Sequence, residues 1–294
     1  MKRVAFVGLG VMGGPMAAHL AKAGFAVRTY DRNGKGSCAS LREAVRDADF
    51  LVTMLPDGRA VRRVVLASLS HLAKDALVLD TSSSDPADIR ALAARGARIV
   101  DAPVSGAVVG ARAATLTFMV GGRPADVRRA MPLLRAMGRQ IFHVGPLGAG
   151  DVVKALNNYL GAVGTLAGFE ALLVARAFHL DPKPMLAAIN ASTGRNSTTA
   201  VKIARDILPR AFASGFKLRL MAKDVGIAAR LARAVRLRTP FLQATLRMWR
   251  QAQRRLPADA DHSEIYKYQR AIATRRASAR RSSAGRTSAR RSRG

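Results

Sequence analysis

Residues Lys2 to Asp31 read KRVAFVGLGVMGGPMAAHLAKAGFAVRTYD: an apolar run, a glycine-rich turn, a helical stretch, and a second apolar run closed by an acid. Few folds accept that order. A strand that passes into a helix through Gly8, Gly10 and Gly13 opens a βαβ unit of a doubly wound sheet, and the spacing of the glycines is that of a dinucleotide site. Gly8 allows the tight turn, Gly10 lets backbone approach a pyrophosphate, and Gly13 lets the helix press onto the sheet. With Leu9, Val11 and Met12 between them, the loop Gly8–Gly13 is the candidate phosphate cradle, aided by the free N–H groups and positive dipole end of the helix that follows. A glycine triplet alone is a weak signal. The strand before it, the helix after it and Asp31 eighteen residues past Gly13 make it specific. Asp31 is placed to accept from the adenosine ribose and to repel a 2′-phosphate, which favours NAD. Arg32 beside it would pair with that phosphate, which leaves NADP as the alternative.

Strand signals continue at DFLVTMLP (Asp49 to Pro56), ALVLDTSS (Ala76 to Ser83), ARIVDAPV (Ala97 to Val104), LTFMVGG (Leu116 to Gly122) and QIFHVG (Gln140 to Gly145). Helical stretches such as ADIRALAARG and PADVRRAMPLLRAMG lie between them, so the alternation predicts a largely parallel, doubly wound α/β sheet. Ligands of such sheets bind beyond the carboxyl ends of the strands, where the loops at Leu55-Pro56, Ser82-Ser83 and Ser105-Gly106 should gather. The segment RNGKGSCAS after Asp31 holds only a turn and a stub of strand. The second helix is therefore expected to be missing and the next strand short, with the adenine end of the pocket more open than usual.

Past Gly148 the pattern changes. DVVKALNNYLGAVGTLAGFEALLVARAFHL (Asp151 to Leu180) reads as one long helix, apolar nearly all round, and is expected to be the buried axis of a second, all-helical domain. Gly161, Gly164 and Gly168 would let another helix approach. Further helices are expected at KPMLAAINAS, GFKLRLMAKDVGIAARLARAV and PFLQATLRMWRQAQRR. The organisation read from this is a dinucleotide-binding domain over residues 1–149, a helical substrate and dimerisation domain over 150–272, a cleft between the two, and a disordered Arg/Ser-rich tail over 273–294.

A chain of 294 residues suits that arrangement. No apolar run approaches the ~20 residues of a membrane span, and MKRVAFVG enters a strand at once, so a cytoplasmic protein without a leader or a membrane partner is expected. Cys38 is the single cysteine, which rules out an intramolecular disulfide. The formal charge of +30 raises nucleic acid as a partner. Eight of those charges are arginines of the last twenty residues, and the remaining +22 is spread over helix surfaces without interleaved aromatics, as on a solvated basic face. A nucleic-acid-associated protein that keeps the fold as a scaffold and uses its tail as an anchor is the reading from another class. The five histidines are dispersed and no metal site is expected.

The few polar residues early in the long helix are Asp151, Lys154, Asn157 and Asn158. Lys154 and Asn158 are four apart and project from one face. A lone lysine near a helix end usually snorkels to solvent. Set in an apolar cleft beside a dinucleotide site, its amine suits proton exchange with a substrate oxygen.

These residues also carry a resemblance. FVGLGVMGGPMA at Phe6, TMLPD at Thr53, DTSSSDP at Asp80, DAPVSGAVVGA at Asp101, GAGDVVKALNN at Gly148, FKLRLMAKDVGIA at Phe216 and DHSEIY at Asp261 are similar, in this order, to the β-hydroxyacid dehydrogenase family, to which 3-hydroxyisobutyrate dehydrogenase and tartronate semialdehyde reductase belong and 6-phosphogluconate dehydrogenase is more distantly related. The resemblance implies hydride transfer between a nicotinamide and a small 3-hydroxy acid or its semialdehyde. It implies that Lys154 is the catalytic lysine, that Asn158 holds the substrate, and that Ser105 and Gly106 grip its carboxylate. Leu55, Pro56 and Ser83 would line the ribose and nicotinamide, Lys223 would close over the cofactor, and Phe216 and Asp224 would lie on the substrate side. The family's turn is usually Ser-Gly-Gly, so Ala107 adds a methyl group where backbone approaches the substrate, and Ser83 stands where many relatives have threonine. A related reading is reduction of an imine or another carbonyl on the same fold; relatives that reduce imines generally lack the lysine. The apolar long helix suggests a homodimer or homotetramer.

Overall fold

The structure, a computed structural model, describes residues 1–274. It divides into two compact units, Met1–Asn157 and the chain from Asn158 onward. The expected tail lies outside the described residues from 275 on; residues 273 and 274 belong instead to a helix over 265–274.

In the first unit, β1 (Arg3–Val7), β2 (Ala26–Tyr30), β3 (Phe50–Thr53), β4 (Leu77–Asp80) and β5 (Ile99–Asp101) run parallel in the order β2-β1-β3-β4-β5. The strands alternate faces with period two. Val4 and Phe6 point to a core shared with Met16 and Leu20 of α1 (Gly13–Lys22), whereas Ala5 and Val7 point to the opposite core. Helices therefore cover both faces, as a parallel sheet requires. The far edge is mixed: β6 (Val104–Ser105) and β5 pair antiparallel with β7 (Leu116–Gly121), and β8 (Gly138–Gly145) pairs parallel with β7. The stretch read as one strand from Ala97 to Val104 is thus split in two by Ala102-Pro103.

The second helix is present, contrary to expectation. It is α2 (Leu41–Val45), five residues long, capped by Ser40 accepting from the Glu43 N–H. The segment before it forms no strand but folds back on β2: Cys38 N–H donates to the Thr29 carbonyl and Ser37 N–H to Thr29 Oγ1. β3, the next strand, has four residues. Among the helices that follow are α3 (Gly58–Ser68), α4 (Pro86–Ala94), α5 (Ala107–Ala113) and α6 (Pro124–Met137), the first two covering the face opposite α1.

The long helix is α7 (Ala149–Ala177), which starts in the first unit and continues in the second. By length and composition alone it could cross a membrane, so the expectation of no such run is corrected. Protein groups of the second unit pack against it: Thr165 Oγ1 lies 3.2 Å from Thr198 Oγ1, and Gln269 donates to the Leu166 carbonyl at 3.0 Å. It is also not buried all round. Leu156, Leu160 (68 % exposed), Ala167, Ala171 and Val174 form an exposed stripe on the side of the helix opposite Lys154, Asn158, Thr165 and Phe169, which no element among the described residues covers.

The rest of the second unit holds α8 (Pro182–Asn190), a π-helical segment (Thr198–Ile207), α9 (Leu218–Ala234) and α10 (Pro240–Arg255). Gly164 and Gly168 admit Asn196 and Thr198 of the segment before and at the π-helix, since a Cβ at either would meet those side chains; Gly161 faces open space and admits nothing.

Candidate active site

Strand register builds the first half of the site. Tyr30, Val7, Thr53, Asp80 and Asp101 are partners across successive parallel strands, so β2, β1, β3, β4 and β5 end flush and their following loops share one edge. The order reverses at β1, which makes the loop after it the switch point where such sheets bind ligands.

The three glycines of that loop each meet a different demand. Gly8 has φ +101°, a left-handed conformation, and a Cβ there would run into the Met54 carbonyl. A Cβ at Gly13 would run into the Gly8 carbonyl. At Gly10 a Cβ would meet no atom within 4 Å. Its lack of a side chain serves no contact within the fold and leaves the backbone bare toward solvent. The Met12 N-cap of α1 makes no side-chain hydrogen bond and the first turn holds no acid, so the positive end of the helix is left for an anion. This cradle fits a dinucleotide pyrophosphate. Asp31 is tied into it: Leu9 N–H donates to Asp31 Oδ2 at 2.8 Å and Asn33 N–H to Oδ1 at 2.8 Å. Desolvation opposes ionisation of Asp31, but these N–H donors with Lys35 and Arg32 prevail and hold its pKa below the ordinary value.

Along the same edge the Leu55 N–H donates to Ser82 Oγ at 2.9 Å, fixing the Leu55-Pro56 turn. Ser83 lies between Ser82 and Ser84. Ser105 ends β6, and Gly106 (φ +131°) caps α5. Ala107 takes φ +53°, so a residue with a Cβ occupies the left-handed turn where the related motif has glycine.

Sequence reasoning missed a chain of buried acids that joins these loops to α7. Asp80 accepts from Thr53 Oγ1 at 2.8 Å and from Ser84 Oγ at 2.6 Å; Ser84 N–H donates to Asp151 Oδ1 at 3.1 Å. Asp101 accepts from the N–H groups of Gly148 and Asp151. The available signal was an acid at the last position of two consecutive buried strands, LVLD and IVD. Lys154, 9 % exposed, follows Asp151 by three residues on α7.

In the second unit Asn158, also 9 % exposed, donates from Nδ2 to Asp224 Oδ2 at 2.6 Å, and Lys223 Nζ lies 3.0 Å from Asp224 Oδ1. Three of the predicted residues are thus joined. Phe216 is held by its carbonyl, which accepts from His262 N–H at 2.8 Å, and by an edge-to-face contact with that imidazole at 5.8 Å. Desolvation, with Lys202 nearby, pushes His262 down to about 4 despite the adjoining Asp261, so the ring is neutral at pH 7. Among the described residues no group of histidine, cysteine or acidic side chains could hold a metal ion.

A doubly wound unit with a pyrophosphate cradle, leading into a helix that carries a buried lysine, is the architecture of a nicotinamide-dependent dehydrogenase. Residues 3–145 match the family described as the NAD binding domain of 6-phosphogluconate dehydrogenase, and residues 148–269 the family described as the NAD-binding of NADP-dependent 3-hydroxyisobutyrate dehydrogenase. The chain is 38 % identical over 290 residues to an NAD-dependent L-serine dehydrogenase of Pseudomonas aeruginosa, covering 91 % of this chain and 97 % of that protein. It is 38 % identical over 264 residues to a 3-hydroxyisobutyrate dehydrogenase of the same organism, covering 82 % and 89 %. The solved 3-hydroxyisobutyrate dehydrogenase of Mycobacterium tuberculosis with L-serine superposes with a TM-score of 0.84 at 34 % identity, covering 92 % of this chain and 99 % of that one. The chain belongs to the β-hydroxyacid dehydrogenase family.

Proposed function

We propose that this NAD(P)-dependent hydroxy-acid dehydrogenase oxidises the primary alcohol of a small 3-hydroxy acid to its semialdehyde, and the reverse, with Lys154 as general acid and base. The observation that carries this reading is an almost buried lysine one turn before a buried asparagine whose amide is fixed by Asp224. L-Serine and 3-hydroxyisobutyrate, named in the relatives, share a CH2OH group β to a carboxylate and differ in the substituent between them. Both belong in the substrate panel.

Bound nicotinamide supplies the hydride acceptor at C4. Lys154 Nζ takes the hydroxyl proton as the carbinol C–H bond breaks, and returns it on reduction. Ser105 Oγ and the backbone at Gly106 and Ala107 hold the carboxylate. Asn158 holds the substrate oxygen, with its amide end selected by Asp224, while Phe216 shapes the substrate side. The Gly8–Gly13 loop with Leu9, Val11 and Met12 cradles the pyrophosphate, Asp31 takes the ribose and favours NAD, Leu55, Pro56 and Ser83 line the nicotinamide end, and Lys223 closes over it. Residues 1–149 serve the cofactor and 150–272 the substrate.

The exposed apolar stripe of α7 supports a homodimer, alone or within a homotetramer, and the single cysteine suits a cytoplasmic setting. The buried lysine weighs against imine reduction. The dehydrogenase family weighs against a nucleic-acid role for the basic surface.

The test is a panel of hydroxy acids and semialdehydes followed at the reduced-nicotinamide band with the native protein and Lys154→Ala. Turnover of a 3-hydroxy acid that Lys154→Ala loses, with cofactor binding kept, supports the reading; near-native turnover by the variant overturns it.

A further inference from the structure

Asp101 does not reach the surface, yet two N–H groups of the α7 start converge on it: Gly148 donates to Oδ1 at 2.7 Å and Asp151 to Oδ2 at 2.9 Å. Gly148 is the residue before the first helical position and offers no side chain to cap the helix, and Asp151 is the third residue of α7. A carboxylate on β5 thus does from another element what a Ser or Asp at the N-cap does from within. The space for it is made by glycine. A Cβ at Gly121 would stand 2.5 Å from Oδ1, and one at Gly150 would stand 2.9 Å from Oδ2.

Such a clamp fixes both the height and the rotation of the first turn of α7 relative to the sheet, because it holds two N–H groups on opposite oxygens of one planar group. Lys154 follows Asp151 by three residues, a little under one helical turn. We propose that Asp101 is a positioning residue for Lys154, acting through the backbone of α7 to fix where the amine stands. This rests on the reading of Lys154 as the acid and base of the reaction.

The clamp works best as a carboxylate, since an amide or a protonated acid turns one acceptor into a donor facing an N–H. Burial pushes the Asp101 carboxyl up to about 6, against the N–H donors. Among the described residues, Asp80 of β4 adds to the rise, Asp151 of α7 meets the carboxylate through its N–H, Gly121 of β7 brings no charge, and Arg90 of α4 reaches Gly148.

The experiment compares Asp101→Asn, Lys154→Ala, the double variant and Asp126→Asn, a buried acid on α6 paired with Arg98. Misplacing a catalytic group by about 1 Å costs up to about 10²-fold in rate. Asp101→Asn is expected to lower kcat by about that order with NADH affinity unchanged, to add nothing in the Lys154→Ala background, and to exceed Asp126→Asn at equal loss of stability. Reductive turnover needs Lys154 protonated, so a fall of kcat below about pH 6 in that direction, absent from Asp101→Asn, belongs to Asp101. If the amide variant does not fold, Asp101→Glu, which keeps the charge but displaces the clamp, is expected to lower kcat in the same way. Native kcat in the Asp101 variant while Lys154→Ala is inactive overturns the clamp alone; native turnover in Lys154→Ala overturns the reading beneath it.

Discussion

The Asn158 amide donates to Asp224 Oδ2 at 2.6 Å, so a carboxylate on α9 fixes which way round the amide proposed to hold the substrate lies. A hydrogen bond to a charged group contributes about 1.5–3 kcal/mol. Asp224→Ala is expected to raise KM for the hydroxy acid about tenfold or more and to change NADH affinity less than that, through its ion-pair partner Lys223. Steady-state kinetics with fluorescence titration of NADH checks both halves.

Asp31 is held ionised by two backbone N–H donors, one of them Leu9 of the Gly8–Gly13 loop. A fixed negative charge there opposes a 2′-phosphate. Asp31→Ser is expected to shift the NADPH-to-NADH affinity ratio toward NADPH by about tenfold or more, measured by parallel titrations; an unchanged ratio would assign the preference elsewhere.

Ala107 occupies a left-handed conformation at φ +53°. That geometry costs a non-glycine residue about 1–2 kcal/mol, part of which glycine returns through its freer unfolded chain. Ala107→Gly is expected to stabilise the first unit by about 0.5–1 kcal/mol, read by urea unfolding.

His262 sits near 4 in the fold against 6.5 when free. A depressed histidine contributes stability that is complete above pH 6.5 and is lost as pH falls toward 4, about 3 kcal/mol across the interval. His262→Gln is expected to flatten that part of the stability curve whatever its effect at pH 7. Asp101, raised to about 6, works in the other direction, so the comparison is made between slopes of the two proteins.

Leu160 is the most exposed of the large side chains in the α7 stripe. Leu160→Glu is expected to reduce the mass in sedimentation to that of a single chain without loss of helical signal. An unchanged native mass would place the contact on another surface.

Much of this was legible because single residues met single demands. Gly8, Gly10 and Gly13 each have one physical reason to lack a side chain, and α10 matched its expected bounds because Pro240 starts it and Pro257 follows its end. The helix α2 was missed because five residues carry no periodicity; only Ser40 and Glu43 marked it. Strand direction at β7 is not written in side-chain alternation, so the mixed edge was out of reach. The burial of α7 was overread, since composition reports an apolar surface and not what covers it. Asp80 and Asp101 stayed hidden because an acid closing an apolar run looks like the first loop residue until the strands are set side by side.

The emptiness around Gly10 separates two kinds of damage to this protein. Substituting Gly8 or Gly13 breaks the turn itself, and any assay of folding would register the injury. A methyl group at Gly10 meets no atom within 4 Å, so a chain carrying it is expected to fold and melt like its parent while the proposed cradle turns its nucleotide away at the door. Screens that score only abundance or thermal resistance would pass such a variant as healthy.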